Sequence, residues 1–538
     1  MPYFYDAYKT STEATLRTIS ELEFLLNVAI KNATSVYIVL DGIDECPREQ
    51  RLAITKWFRK LVESLKPQSS EQVRCLFVSQ DDGIAGKDFR GIASLKIHPE
   101  DNKSDIALYS SAWAAKIHVK FDLTHEESAF IARRTTDSSG GMFLLAKLVC
   151  ENLYEQATYE DVQTEMKAGT FPQGICDAYE RIMIRISSQN AAKRLQEYFR
   201  LLLGWLVCAK RPLQWKEIQV AKSMDLEQQD IDFKKRQFRG HPKDFCGSMV
   251  EDYNGTVDLV HNTAKRFLID KAYVDPVAVN IKLAIICVDY LNLPGFRPDD
   301  PEVDAWIRGG HFLFMDYAAL YWIRHLQSGL TDQVDDHVLI DEVSESLDCF
   351  LDIHWTEPTI IPRISERNRQ KFGQLAPVPF FDRLLRAVVS TSKYLRSSGD
   401  MKEGESALNV FDEVNSVRHR IETLSYNDPA DGGVNQIFDT YGQDLYKCTW
   451  PSCYHFTSGF KAASLRDLHI EKHLRPFTCS FEGCPTSAIG VATSSELERH
   501  LREMHGQPTK DGKYVIFPSA EEIMASSAPS HTTKVYRA

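Results

Sequence analysis

The sequence has no apolar run long enough to cross a bilayer and no excess of positive charge. Its longest apolar stretch, LLLGWLVCA at residues 201–209, is far shorter than the roughly 20 residues of a transmembrane helix. The N-terminus, MPYFYDAYKTSTEA, lacks the basic segment and apolar core of a secretory signal. Acidic residues outnumber basic ones by 75 to 63, for a formal net charge of -12, which disfavours a general affinity for nucleic acid or anionic membranes. We therefore expect an intracellular protein, cytoplasmic or nuclear, with no membrane partner.

The sequence also lacks the closely spaced cysteines of a disulfide framework. Of the 12 cysteines, eight stand singly, mostly inside apolar segments, and four form two spaced pairs near the C-terminus. This usage is typical of a reducing compartment and indicates a metal site.

A third absence concerns nucleotide binding. VYIVLDGIDEC, residues 36–46, predicts a strand buried on both faces of a parallel sheet, with Asp41, Asp44 and Glu45 at its carboxyl end. In P-loop nucleotidases the first acid, here Asp41, helps to hold Mg²⁺, and a later one, here Asp44 or Glu45, orients or polarises the attacking water. The phosphate-binding loop GxxxxGK[ST] is not in the sequence, and its nearest imitation is GIAGKD at 83–88. We therefore predict that the chain as given neither binds ATP or ADP with Mg²⁺ tightly nor hydrolyses ATP.

Two metal-ligand motifs are present near the C-terminus. Residues 448–473 read C-x4-C-x15-H-x3-H (finger one), and residues 479–505 read C-x4-C-x15-H-x4-H (finger two). A Cys pair on a turn and a His pair one helical turn apart supply the four ligands of a tetrahedral zinc ion, and a closed four-ligand site is structural rather than catalytic. We predict two zinc ions, with these ligands: Cys448, Cys453, His469 and His473 in finger one; Cys479, Cys484, His500 and His505 in finger two.

The two motifs differ at the positions expected to form their cores. Phe460 and Val491 each lie nine residues before the first His, where C2H2-type zinc fingers place their core aromatic residue, and Leu497 occupies the second core position of finger two. Finger one has Arg466 at that second position. We expect its helix to be shifted, or its core to use Leu468 instead.

Neither finger has the surface of a strong DNA reader. Between residues 444 and 505 there are seven basic and seven acidic residues. The electrostatic attraction to DNA phosphates, which dominates DNA affinity, is therefore weak. We expect protein contacts or intramolecular packing, and weak DNA binding at most. The helix positions that face bases in C2H2-type fingers are Ala462, Leu465 and Leu468 in finger one and Thr493, Glu496 and Arg499 in finger two.

The remaining pattern predicts several compact units. Strands at 36–40, 74–79 and 93–97 alternate with helical segments, whereas the later regions are mainly helical, with a winged helix suggested by 209–224 and 256–270. The predicted fold is an α/β remnant of a P-loop NTPase domain, then mainly α-helical regions with a winged helix, and two small ββα zinc fingers. The predicted domains are 1–100, partial nucleotidase; 101–168, helical subdomain; 169–275, winged-helix-like; 276–440, helical region of unknown role; 441–507, two zinc fingers; and 508–538, disordered tail.

An ordered series of segments carries a resemblance to a known family. VYIVLDGIDEC, CLFVSQDD, GMFLLAKLVCENL, YERIMIRI, LLLGWLVCAKRPLQWKEIQVA and LVHNTAKRFLI together resemble the NACHT-type STAND nucleotidases of filamentous fungi over roughly residues 15–275. The resemblance implies a NACHT-like domain in 1–100 and a signalling switch in non-self recognition or cell death. It also implies that His261 lies near the nucleotide and helps to keep the closed state; the alternative is a histidine that only caps the following helix.

Two departures from the family affect the predicted activity. Only 35 residues precede the carboxylate strand, whereas the family's phosphate loop lies several dozen residues before it, so we expect a truncated gene product or a degenerate relative. Gln80 stands where the family has an arginine that senses phosphate. The leading hypothesis is a non-catalytic regulatory or signalling protein with zinc-binding interaction modules. The alternatives are a zinc-finger nucleic-acid-binding (transcription) regulator and an NTPase whose P-loop is missing from the gene product.

Overall fold

The computed structural model describes most of the chain from residue 35 to residue 505. The described residues are 23, 26, 30, 35–63, 73–80, 87, 89–189, 193–297, 301–330, 336–395, 404–427, 436–451, 453–474, 477–481, 484, 486, 491 and 494–505. They belong to two compact units. Unit one takes in the described residues up to Lys96 and from Asp467 onward, and unit two takes in those of Ile97–Arg396 and Met401–Arg466. The predicted disordered tail, 508–538, lies outside the described residues.

Unit one contains a two-stranded parallel sheet near the N-terminus. Its elements are β1 (Val36–Leu40), α1 (Arg48–Glu63) and β2 (Val73–Phe77). The strands pair in register from Val36↔Val73 to Leu40↔Phe77, which agrees with two of the three predicted strands. The third, at 93–97, is wrong: those residues have no regular structure, and Leu95 is 93% exposed, so its apolar side chains have no sheet to cover.

Burial of β1 also differs from expectation. Ile38 and Val36 pack with Leu61 of α1 on one face, while Tyr37 and Val39 on the other face are 70% and 62% exposed. The prediction of burial on both faces is therefore wrong for the described residues, because the helix α1 covers one side of this narrow sheet.

Unit two is mainly helical. Its helices as far as the first small strand are α2 (Lys103–Phe121), α3 (His125–Ser138), α4 (Phe143–Tyr154), α5 (Tyr159–Glu165), α6 (Ile175–Gln189) and α7 (Lys193–Cys208). Local sequence sets several of these boundaries. For example, Thr124 accepts a hydrogen bond from the Glu127 N–H while the Glu127 carboxylate accepts one from the Thr124 N–H, a capping box that starts α3.

The next part of unit two alternates short strands and helices. Its elements are β3 (Leu213–Gln214), α8 (Trp215–Ser223), β4 (Met224–Asp225), β5 (Asp230–Ile231), α9 (Phe233–Arg236), α10 (Pro242–Cys246), β6 (Val250–Tyr253), β7 (Thr256–Leu259) and α11 (Asn262–Asp270). β6 and β7 form a hairpin, and β3 pairs antiparallel with β7. Asn254 and Gly255 in the hairpin turn have positive φ of 53° and 79°, the conformation that a two-residue turn requires. A small sheet flanked by helices is the arrangement that the sequence suggested as a winged helix.

The described residues after α11 are mainly helical up to the metal-ligand motifs, and further helices lie within the motifs. The helices are α12 (Pro276–Leu291), α13 (Val303–Arg308), α14 (Met315–Gly329), α15 (His337–His354), α16 (Glu366–Lys371), α17 (Phe381–Tyr394), α18 (Val410–Asn427), α19 (Gln436–Tyr441), α20 (His455–Ser458), α21 (Ala463–Leu474) and α22 (Ser494–His505). α12 packs on α14 and α15, and its core includes the buried rings of Tyr290, Tyr317 and Trp322. Among the described residues, no helix is both long and apolar enough to cross a membrane.

A polar network lies inside this helical core. His325 is fully buried, its Nδ1 donates to Asn280 Oδ1 at 2.9 Å, and its Nε2 accepts from the Tyr317 hydroxyl at 2.9 Å. Lys210 Nζ donates to the same Asn280 oxygen at 2.9 Å. Burial, together with the charge of Lys210, lowers the pKa of His325 to about 3, so this histidine is neutral in the folded protein.

Candidate metal centres

The four predicted ligands of finger two lie together. The Cys484 sulfur is 3.2 Å from Nε2 of His500 and 3.2 Å from Nε2 of His505, and the Cys479 sulfur is 3.3 Å from Nε2 of His505. All four ligand atoms lie within 4.8 Å of one another. The two histidines are five residues apart on α22, and His505 is the last residue of that helix.

The four predicted ligands of finger one also form one group, again with all ligand atoms within 4.8 Å of one another. Nε2 of His469 and Nε2 of His473 face each other across 2.9 Å. The two residues are four apart on α21, which places them on one helix face.

The donor set fits zinc in both groups. Zinc bonds of about 2.3 Å to sulfur and about 2.0 Å to nitrogen place tetrahedral ligand atoms about 3.3 to 3.8 Å apart. The sulfur to nitrogen distances of 3.2 and 3.3 Å in finger two are close to that range. Two thiols and two imidazoles are also the ligand types that select zinc over the harder Mg²⁺ and Ca²⁺.

Backbone groups shape the cysteine turns in the same way in both fingers. The Cys453 N–H donates to the Trp450 carbonyl at 3.0 Å, and the Cys484 N–H donates to the Phe481 carbonyl at 3.1 Å. In finger one the sulfurs also accept N–H bonds, Cys448 from Trp450 and Cys453 from His455. Such bonds orient the sulfurs as ligands.

A minimal β-hairpin precedes the helix of each finger. Tyr446 pairs with Phe460, and Phe477 pairs with Val491, each as a single antiparallel bridge. Gly459 is required in the first hairpin, because its φ is +62° and an added Cβ would lie 1.9 Å from the Asp444 carbonyl oxygen. The two bridges followed by α21 and α22 agree with the predicted ββα order.

Burial sets the acidity of the thiols before metal binding. It raises the pKa of Cys448 to about 11 and raises the pKa of Cys479. A metal ion must displace these protons to bind, so we expect proton release on loading.

The core of finger one differs from the expectation. Leu468, proposed as a substitute core residue, is 55% exposed, whereas the ring of Phe456 is wholly buried. Arg466 does not enter a core either, since its guanidinium donates to the Glu422 carboxylate of α18 at 2.7 Å. The suggestion that Leu468 supports this core is therefore wrong. The charge at position 466 was the visible signal, but the sequence did not show which partner it would meet.

The carboxylate cluster lies at the carboxyl end of β1, as predicted. Asp44 Oδ1 accepts from the Gln80 N–H at 3.0 Å, and Asp41 Oδ1 accepts from the Gly42 N–H at 2.9 Å. Asp41 and Glu45 are exposed. Asp44 thus holds the segment that follows β2, and the roles in Mg²⁺ or water binding stay predictions.

His261 caps α11 in unit two. Its Nδ1 accepts from the Thr263 N–H at 3.2 Å, which is the structural role that the sequence left open as the alternative. It also lines a cavity of about 440 Å³ that includes Lys210, Arg211 and Lys265. The nucleotide-sensing role of His261 stays a prediction.

Comparison with protein families gives two partial matches. Residues 181–280 match the winged helix domain of GPI inositol-deacylase, and residues 3–80 match the N-terminal region of nephrocystin 3. The first match agrees with the small sheet and helices around β3, β6 and β7. Comparisons with curated proteins and with solved structures gave no match.

Proposed function

We propose that this chain is a non-catalytic regulatory or signalling protein of the NACHT/STAND type whose C-terminal zinc fingers are structural and protein-interaction modules. The observation that carries the proposal is the pair of Cys2His2 groups, each with four ligand atoms within 4.8 Å of one another. The winged-helix match and the nephrocystin 3 match support its NACHT-like part.

The helix surfaces favour protein contacts over DNA contacts. Leu465 and Leu468, at positions where a DNA reader needs hydrogen-bonding side chains, are 49% and 55% exposed. Finger two presents an exposed Arg499, the one cationic side chain at its three base-facing positions. One such residue in a surface of balanced charge gives little affinity for DNA.

Elemental analysis tests the zinc part of the proposal. The intact chain is expected to hold about two zinc equivalents, and Cys453→Ser and Cys484→Ser about one each. Two equivalents in both variants would show that these cysteines are not ligands. Less than one equivalent in the intact chain would overturn the proposal.

Calorimetric titration with Mg·ATP tests the non-catalytic part. Carboxylates without a phosphate-binding loop offer only a Mg²⁺ contact, so we expect no heat at micromolar ATP. Binding at that concentration that is lost in Asp41→Ala would instead support the nucleotidase alternative.

A further inference from the structure

The segment that carries the cysteines of finger one is packed into the helical core of unit two. Tyr446 and Phe456 are 4% and 0% exposed and belong to that core. The Phe456 ring lies 6.3 Å from Phe411 and the Tyr446 ring 6.1 Å from Tyr426, both residues of α18. We name residues 444–466 the docking segment.

Arg418 of α18 holds both flanks of the cysteine turn. It donates to the main-chain oxygen of Cys448 at 3.2 Å and to that of Phe456 at 2.8 Å. Its guanidinium also lies 3.7 Å from the centre of the Phe456 ring, a distance at which the cation is attracted to the ring face. Two hydrogen bonds and a ring contact thus tie one buried arginine to the turn that presents Cys448 and Cys453.

The charge of Arg418 is balanced by Asp316 of α14. The two side chains are each 7% exposed and form an ion pair of 2.8 Å. Asp316 also accepts from Lys447, the residue before Cys448. Burial by itself raises the pKa of Asp316, but the opposing charges of Arg418 and Lys447 bring it down to about 2, so the carboxylate is ionised at neutral pH.

This network depends on the shape of the docking segment. A buried ion pair is stable only while most of its remaining hydrogen-bonding groups are satisfied. Here the Cys448 and Phe456 carbonyls accept from Arg418, Lys447 donates to Asp316, and of the Arg418 nitrogens Nε has no hydrogen-bond partner among the described residues. Arg466 at the other end of the segment adds its bond to Glu422 of α18. A zinc-finger module this small does not hold its fold without its metal.

We infer that finger one is a metal-dependent clasp: its metal keeps the docking segment on α14 and α18, and loss of the metal releases the segment and loosens these two helices. The inference rests on the zinc binding proposed above. The partner of this surface is therefore the same chain. By linkage the contact acts in both directions, so docking of the segment should also increase the affinity of finger one for its metal.

Hydrogen–deuterium exchange on the full zinc-loaded chain tests the clasp. Cys453→Ser removes a ligand of finger one, and Cys484→Ser is the matched control in finger two. We expect Cys453→Ser to raise deuterium uptake severalfold in Met315–Gly329 and Val410–Asn427 and Cys484→Ser to leave uptake there unchanged. Unchanged uptake in Cys453→Ser, with one zinc equivalent lost, would overturn the clasp alone. A chain without zinc would overturn the proposed function as well.

A second pair of variants keeps all eight ligands. Arg418→Met removes the tether, and Arg420→Met removes an arginine of the same helix that pairs with Asp304 and is 53% exposed. In equilibrium competition with a chelator that changes colour on binding zinc, Arg418→Met is expected to bind one of its two ions about tenfold less tightly, whereas Arg420→Met should bind both as the unaltered chain does. Equal zinc affinities in both variants and the unaltered chain would contradict the coupling.

Discussion

The two metal-ligand motifs have nearly the same spacing and the same cysteine turn, yet their surroundings differ. In finger one, Cys448 and Phe456 are wholly buried, and Phe456 is part of the helical core of unit two. In finger two, Phe477 pairs with Val491, and Phe481 stacks on His505 at 4.1 Å, both contacts within the finger. Ligand spacing therefore identifies the metal site, while the residues between the ligands determine what the finger contacts.

Two sequence positions account for much of the difference. The third residue after the second cysteine is Phe456 in finger one and Ser487 in finger two. The second core position is Arg466 in finger one and Leu497 in finger two. An aromatic ring that enters the helical core and an arginine that pairs with α18 make the docking segment of finger one an integral part of unit two.

The largest expected effect comes from removing the buried ring. Phe456→Ala should lower the free energy of unfolding of the helical unit by about 3 to 5 kcal/mol, because a large aromatic side chain leaves a cavity in a packed core. Phe477→Ala in finger two is the control, since its ring is 36% exposed, and it should leave that unit unchanged. Urea unfolding followed by tryptophan fluorescence measures the free energy of unfolding of both variants. Equal losses of this free energy would contradict the difference between the fingers.

Protonation of His325 at low pH should destabilise unit two, which contains the docking segment of finger one. The folded pKa of His325 is about 3, below its unfolded value of 6.5, so the unfolded state takes up the proton first. This stabilisation is fully present above pH 6.5 and is lost as the pH falls toward 3. At pH 5 the loss amounts to about 2 kcal/mol of the free energy of unfolding. Unfolding at pH 7 and pH 5 should show this loss in the unaltered chain but not in His325→Gln. The same pH dependence in both proteins would assign it to other groups.

The ion pair of Arg466 with Glu422 should contribute less. Their side chains are 17% and 11% exposed, so the pair is largely shielded from water and should couple by about 1 kcal/mol. A double-mutant cycle of Arg466→Met and Glu422→Gln on unfolding of the helical unit measures it. Zinc content should stay at two equivalents in all four proteins, and additive losses would show that the pair does not couple.

The strands and the ligand sets could be predicted from sequence because their signals are local. β1 and β2 are short apolar runs, and the ligands follow a fixed spacing along the chain. The contacts of Arg418 and Asp316 could not be predicted, because they join residues 102 positions apart within a region that carries no motif. The exposure of one face of β1 could not be predicted for a similar reason, since an apolar run does not show whether one or both faces of the strand will be covered.

The smallest expected effect concerns DNA, which offers another way to compare the fingers. Finger one presents apolar Leu465 and Leu468, and finger two presents Arg499, so any base contact should come from finger two. The full chain should bind random duplex DNA only in the weak range of about 10⁻⁴ to 10⁻⁶ M at physiological salt, with a shallow salt slope. Arg499→Ala should weaken even this binding slightly, whereas Leu465→Ala should not, as measured by fluorescence anisotropy.

Selection from random duplexes should yield no preferred sequence. A defined site of about six base pairs, the length that two fingers would read, bound at nanomolar concentration would instead favour the transcription regulator.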